Sequence, residues 1–282
     1  LKYIKTDKRF FEIPVIMISS MDDTDSIYRC IENGADDYIT KPFDKSILDA
    51  RISSCIEKKH LRDKEKRLMK ELEEEQQKSE NLLLNILPDS IAQRLKAGET
   101  TIATKHEQVS ILFADIVNFT PQSALLNPNE LVVILNEVFS IFDDLSTNYN
   151  IEKIKTIGDS YFAVGGLRED PKQSAISLVL MAKEMVKKLH ALNKTIDKMD
   201  LHLRIGIHCG DVVTGVIGKH KFAYDLWGSA VNFASRMEST SKPGKIHISE
   251  NLHKLIKDDF SFIKRKDLKV KGVGNIDSYF VE

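Results

Sequence analysis

Apolar positions near the start of the chain come in short runs. Residues 13–20, IPVIMISS, form a β-branched stretch of the kind found in buried parallel strands. Residues 22–34, DDTDSIYRCIENG, open on acids and close on Asn33-Gly34, the start and stop signals of a helix. Residues 35–43, ADDYITKPF, read as a second strand ending at Lys41-Pro42. Strand, helix, strand is half of a doubly wound α/β unit, so residues 1–50 are expected to form part of such a domain.

The pattern then changes period. Residues 58–87 are charge-dense and free of Gly and Pro, as a long helix requires. Leu61, Leu68 and Leu82 fall on a seven-residue series, with Leu72 and Ile86 four places after members of it. This spacing predicts a coiled-coil seam, interrupted at Glu75 and Ser79, within residues 51–104. A solvated single helix is the alternative. Pro88 should end the helix before a short second one, DSIAQRL.

From residue 105 to 282 the texture is α+β. VSILFADIV (109–117) is a strand. Leu131, Ile134, Leu135, Val138, Phe142 and Leu145 mark one face of a helix over 130–149. EKIKTIGDSYFAVGG (152–166) reads as two strands around a Gly158-Asp159 turn. Residues 174–192 form a second amphipathic helix, and 201–218 are read as another hairpin. Strand, helix, hairpin, helix, strand is the ferredoxin-like plan.

Composition narrows the functional classes. A length of 282 residues suits about two domains. A net charge of −1 gives no global attraction to nucleic acid or an anionic membrane. Cys30, Cys55 and Cys209 show no paired spacing and read as reduced thiols of a cytoplasmic protein. The apolar runs are too short to span a bilayer, and no signal peptide is expected.

The run VSILFADIVNFT ends its strand on Asp115, and a carboxylate there needs a positive partner. In a ferredoxin-like sheet, the first strand and the following hairpin are central neighbours, so Asp115 and Asp159 can meet at one end. Two such carboxylates repel unless a cation lies between them. Mg²⁺, held through one or two carboxylates and substrate phosphates, would suit the pair. Spacing alone equally allows two unrelated turn acids. Likewise Lys155, taken alone, reads as an exposed strand lysine. His208 and Cys209 alternate along a strand with no matching ligands nearby and are expected to pack rather than bind metal.

Three motifs in order, ILFADIVNFT, EKIKTIGDSYFAVGG and YDLWGSAVNFASRMEST, resemble the class III nucleotide cyclases. The resemblance implies conversion of a nucleoside triphosphate to its 3′,5′-cyclic monophosphate and pyrophosphate. It implies two Mg²⁺ or Mn²⁺ ions on Asp115 and Asp159, with the Ile116 carbonyl as a further ligand. Lys155 and Asp225 match the purine-reading pair. Lys only donates and ionised Asp only accepts, which fits the N1 acceptor and 6-amino donor of adenine, so the substrate is expected to be ATP. Asn232 would orient the ribose and Arg236 would stabilise charge on the α-phosphate. Lys271 would bind the triphosphate, and the backbone amides around Phe119 and Thr120 would face phosphates. Two positions depart from the pattern: Asn118 stands where Gly is common, and Asp211 where some members have a phosphate-binding Arg. The family resemblance also implies a homodimer with active sites shared between chains. Mixed use of ATP and GTP, or a catalytically dead nucleotide-binding dimer, stays open. A diguanylate cyclase would share the core, but its glycine-glycine-acid signature is absent.

Residues 13–44 resemble the second half of a two-component receiver. Ser19 would contact an incoming phosphoryl group, Lys41 would pair with it, and Tyr38 would be the switch aromatic. Lys41-Pro42 would be cis. The receiver's acidic pocket and phosphoacceptor belong to a first half expected upstream, and a histidine kinase is a possible partner. Residues 81–99 resemble the linker that often precedes cyclase domains, which suggests receiver control through a paired helix.

Overall fold

A computed structural model describes residues 1–20, 24–124, 126–194, 200–218, 222–270 and 274–282. The chain divides into two units, Leu1–Asp89 and Ser90–Glu282.

In the first unit, helix α1 (Lys2–Thr6) precedes strand β1 (Ile16–Ser19), helix α2 (Thr24–Glu32) and strand β2 (Asp37–Thr40). The two strands pair in parallel, Ile16 opposite Asp37 through Ser19 opposite Thr40, as strand–helix–strand predicts. Burial is shallower than the sequence suggested: Ile39 is buried, but Ile18 is exposed. A two-stranded sheet is too narrow to bury both faces of its strands. Asp36 fastens the unit, accepting from Lys5 Nζ at 2.7 Å and from the Val15 amide at 2.9 Å. The Lys41-Pro42 bond is cis. Helix α3 (Lys45–Leu84) then runs for 40 residues, capped by Asp44 accepting from the Ser46 amide. It starts inside the region assigned to the α/β unit, so the expected boundary at residue 50 falls within one continuous helix. Its Leu61, Leu68, Leu72 and Leu82 are exposed.

The second unit is built on an eight-stranded sheet. Helix α4 (Asp89–Lys96) leads to strand β3 (Ile102–Ile116), the short helix α5 (Phe119–Ser123) and helix α6 (Pro128–Asn148). A capping box of Asn127 and Glu130, with Pro128 in the first turn, fixes the start of α6. The hairpin β4 (Glu152–Ile157) and β5 (Ser160–Gly165) follows, then α7 (Pro171–Leu192) and β6 (Leu203–Ile217). Beyond these lie β7 (Ala223–Trp227), α8 (Ser229–Ser239), β8 (Lys245–Ser249), α9 (Glu250–Ile256), β9 (Phe262–Val270) and β10 (Gly274–Val281). The order is β4-β5-β3-β6-β8-β10-β9, with β7 paired to β6. Its first four strands, with α6 and α7, form the ferredoxin-like core.

One expectation is corrected. Residues 201–218 are not a hairpin; β6 crosses the sheet as a single 15-residue strand, and its hairpin partner is β7. Gly206 and Gly210, within this strand, serve packing. Alternate residues Arg204, Gly206, His208 and Gly210 face α8. A Cβ at Gly206 would lie 1.9 Å from the Glu238 nitrogen, and one at Gly210 would lie 2.9 Å from the Ala230 Cβ. The glycines thus form a seat on which α8 lies directly against the sheet. His208 stacks on Phe233 at 4.3 Å between them.

The two faces of the sheet carry separate cores. Leu112, Ala114 and Ile116 pack with Phe142 of α6, Leu178 and Met181 of α7, and Leu252 of α9. Val109, Ile111 and Phe113 pack with Ala230 and Ala234 of α8. By strand alternation Asp115 belongs to this second face.

Candidate active site

Asp115 is the penultimate residue of β3, paired in register with Ser160 of β5 and Arg204 of β6. Asp159 sits one residue before Ser160, in the turn where Gly158 takes a φ of 62°. The fold therefore brings the two carboxylates to the same end of adjacent strands, as the sequence predicted. Burial and then the nearby charge of Asp115 hold the Asp159 carboxyl above the ordinary aspartate range. A divalent ion would relieve that repulsion. Among the described residues no group of three or more His, Cys, Asp or Glu is placed to hold a metal. Two carboxylates do fit a Mg²⁺-like ion that takes its other ligands from water and phosphate. Ile116 is 1% exposed and its hydrocarbon side chain has no ligand atom, so any part in holding a metal would fall to its carbonyl.

The structure supplies the positive partner of Asp115 that sequence reasoning missed. Arg204 Nη2 donates to Asp115 Oδ2 at 2.6 Å. Arg204 Nε also lies 3.1 Å from Glu238 Oε1 of α8, without hydrogen-bond alignment. Burial, and then the charge of Asp115, push the Glu238 carboxyl up to about 7, against the pull of Arg204. The available signal was the alternation of Arg204, Gly206, His208 and Gly210 with Leu203, Ile205, Ile207 and Cys209. It marks a strand face reserved for something other than an apolar core.

Lys155 of β4 and Asp225 of β7 form an ion pair within one chain. Lys155 is opposite Phe162 of β5, and Asp225 opposite Gly215 of β6. Asp225 Oδ1 also accepts from the Leu226 amide at 2.9 Å, which orients its carboxylate. Asn232 and Arg236 lie one turn apart on α8; Asn232 is exposed and Arg236 half-buried, and the Arg236 carbonyl accepts from Thr240 Oγ1 at 2.7 Å, while its guanidinium has no hydrogen bond or ion pair among the described residues. Phe119 and Thr120 open α5 after Asn118, which takes a left-handed φ of 55°, a conformation Asn tolerates where Gly is common. Lys271 lies outside the described residues. Asp211 is turned to local structure, accepting from the Gln108 amide at 3.2 Å.

Two histidines are structural, as expected for His208. His208 Nδ1 lies 2.8 Å from Ser249 Oγ, and burial pushes its pKa down to about 4. His247 is held between the Met237 carbonyl and Ser278 Oγ, each at 2.8 Å. Cys209 is buried on the opposite face of β6 from His208. In the first unit, Ser19 ends β1 opposite Thr40, Tyr38 lies opposite Met17, and the Lys41 amide donates to the Ser19 carbonyl at 2.8 Å. Among the described residues no helix is long and apolar enough to cross a membrane.

Comparison with known proteins agrees with this geometry. Residues 101–282 match the family described as the adenylate and guanylate cyclase catalytic domain. An adenylate cyclase of Mycobacterium tuberculosis is 41% identical over 211 residues, covering 74% of this chain and 47% of the relative. A membrane guanylyl cyclase of Dictyostelium discoideum is 36% identical over 211 residues, covering 74% of this chain and 14% of that protein. The chain therefore spans half or less of these relatives. Among solved structures, the adenylyl cyclase CyaB of P. aeruginosa superposes with a TM-score of 0.61 at 28% identity, covering 64% of this chain and 95% of CyaB. The guanylate cyclase domain of RhGC from Catenaria anguillulae, in complex with GTP, gives 0.60 at 34% identity, covering 64% and 98%. The fold, the paired carboxylates at the β3–β5 end and the family match agree: this chain belongs to the class III nucleotide cyclases.

Proposed function

We propose that the chain is an adenylate cyclase, forming 3′,5′-cyclic AMP and pyrophosphate from ATP. The observation that carries the choice of base is the Lys155–Asp225 pair. Its ammonium offers only donors and its carboxylate only acceptors, the complement of the adenine edge. Guanine, with N1–H and O6, would leave both groups mispaired. The mycobacterial adenylate cyclase among the relatives supports the same reading.

Asp115, Asp159 and the Ile116 carbonyl would hold two Mg²⁺ or Mn²⁺ ions. When bound, these would lower the pKa of the ribose 3′-hydroxyl and neutralise the triphosphate for in-line displacement at the α-phosphorus. Asn232 would orient the ribose. Arg236, in the last turn of α8, would donate its guanidinium fork to the α-phosphate as charge develops. Phe119 and Thr120 amides and Lys271 would receive the remaining phosphates. The active form would be a homodimer, Asp115 and Asp159 of one chain facing Lys155, Asp225, Asn232, Arg236 and Lys271 of the other. Residues 1–50 would be the second half of a receiver, with Ser19, Tyr38 and Lys41 as its switch. The parallel β1–β2 pair supports this.

Incubation with ATP or GTP and either metal, followed by chromatography of the products, tests the reading. Cyclic AMP from ATP is expected. Cyclic GMP as the dominant product, or no cyclic product from either nucleotide, would overturn it.

A further inference from the structure

Arg204 stands between two carboxylates that belong to different elements of the site. Its Nη2 is hydrogen-bonded to Asp115 at 2.6 Å, and its Nε lies 3.1 Å from Glu238 Oε1. The second contact is out of line: Nε and Oε1 are both buried, and neither is satisfied by a hydrogen bond. A buried donor and acceptor left in this state cost free energy that a small rotation could recover. Asp159 adds a further negative charge beside Asp115. Two carboxylates, Asp115 and Glu238, thus compete for one guanidinium. Glu238 is not a loose surface acid: its side chain is 11% exposed, and its backbone rests on Gly206. Whatever pulls on Glu238 pulls on α8, which carries Asn232 and Arg236.

We propose that Arg204 is a positioning residue with two settings. Without metal it serves as the internal counter-ion of Asp115. When divalent cations engage Asp115, the guanidinium rotates onto Glu238, so metal occupancy is transmitted to the seating of α8. The proposal rests on reading Asp115 as a metal ligand. Its physical basis is charge conservation in a partly buried site. A dication displacing Arg204 would otherwise strand a guanidinium, which is strongly unfavourable. Glu238 keeps the cation paired and so lowers the cost of metal entry.

The test uses Mn²⁺ alone, without nucleotide, and the full chain. Calorimetry and the electron paramagnetic resonance of free Mn²⁺ give the affinity. Arg204→Gln removes the competitor and should tighten Mn²⁺ binding by about tenfold, as expected for one charge contact. Glu238→Gln removes the alternative partner and should weaken it by about threefold or more. Mn²⁺ should also slow amide hydrogen exchange over 229–239 in the wild-type chain but not in Glu238→Gln. A merely structural arginine would move both affinities the same way. Shifts of the same sign, or no shift in either variant, would overturn the proposal. If Arg204→Gln fails to fold, the affinity and exchange of Glu238→Gln decide alone. A wild-type chain that binds Mn²⁺ and cyclises ATP while these signs fail refutes only the role of Arg204. A wild-type chain that binds no Mn²⁺ refutes the metal assignment beneath it and this proposal with it.

Discussion

Asp115 and Asp159 have the same side chain but opposite surroundings, and that difference is measurable. Arg204 donates to Asp115, whereas burial and the charge of Asp115 disfavour ionised Asp159. In metal-free buffer near neutral pH, Asp159→Asn should therefore raise the thermal midpoint, because it removes a charge the folded state disfavours. Asp115→Asn should lower it, by about 1–3 kcal/mol of stability, because Arg204 loses its charged acceptor. Both should lose cyclase turnover. Equal thermal shifts in calorimetry would contradict the asymmetry. At Lys155 and Asp225 the expected effect concerns substrate choice. Lys155→Glu with Asp225→Cys should lose cyclic AMP formation by about a hundredfold or more, since buried groups left unpaired reject a mismatched base strongly. An unchanged ratio of kcat/KM for ATP and GTP would remove the pair from base recognition.

Helix α8 owes its position to absent side chains. Gly206→Ala places a methyl 1.9 Å from the Glu238 backbone nitrogen, which cannot move without the helix. A loss of about 1–3 kcal/mol is expected, with a fall in turnover because Asn232 and Arg236 shift with the backbone. Gly210→Ala meets the Ala230 Cβ at 2.9 Å and the His208 ring at 3.1 Å, a much smaller overlap than the 1.9 Å at Gly206. It should be the milder change in denaturant titration; the reverse order would show that α8 is seated elsewhere. Helix α3 presents the opposite situation, an element with too much exposed apolar surface. Leu61, Leu68 and Leu82 are 60%, 52% and 65% exposed along the seven-residue series. Replacing all three with Asp should weaken dimerisation in sedimentation experiments without melting the helix, because like charges would meet at a paired seam. An undiminished dimer would assign assembly to the catalytic unit alone.

At the scale of the whole molecule, the proposed shared-site homodimer makes a prediction that one chain with a self-contained site does not. Asp115→Ala and Arg236→Ala should each inactivate a homodimer. In a mixed dimer one composite site collects both lesions and the other neither. Random pairing makes about half the dimers mixed, so recovery near a quarter of wild-type activity is expected when sites act independently. Mass spectrometry should verify the mixing. Failure to recover despite verified mixed dimers would mean that each chain holds a complete site or that these residues have other roles.

Much of this protein was legible in its sequence because local periodicity reports local structure. The strand of 109–117, the helix ending near Tyr149, the Gly158-Asp159 hairpin and the long charged helix follow from residue spacing alone. Turn chemistry placed Asp159, and sheet topology then placed Asp115 beside it. The purine-reading assignment came from motif resemblance, and the structure adds that Lys155 and Asp225 meet across β4 and β7. What spacing could not reveal depends on contacts between distant segments. Residues 201–218 read as a hairpin in sequence and form one strand in the fold, whose Gly206 and Gly210 seat α8, because only tertiary packing distinguishes a glycine that bends from one that makes room. Arg204 lies 89 positions from Asp115. Only the β3–β6 register brings the two side by side, and only the packing of α8 on Gly206 adds Glu238. The sequence thus determined most of the elements and the motif residues of the candidate site. The tertiary structure decided which charges face one another, since pairing energy depends on distance through space and not along the chain.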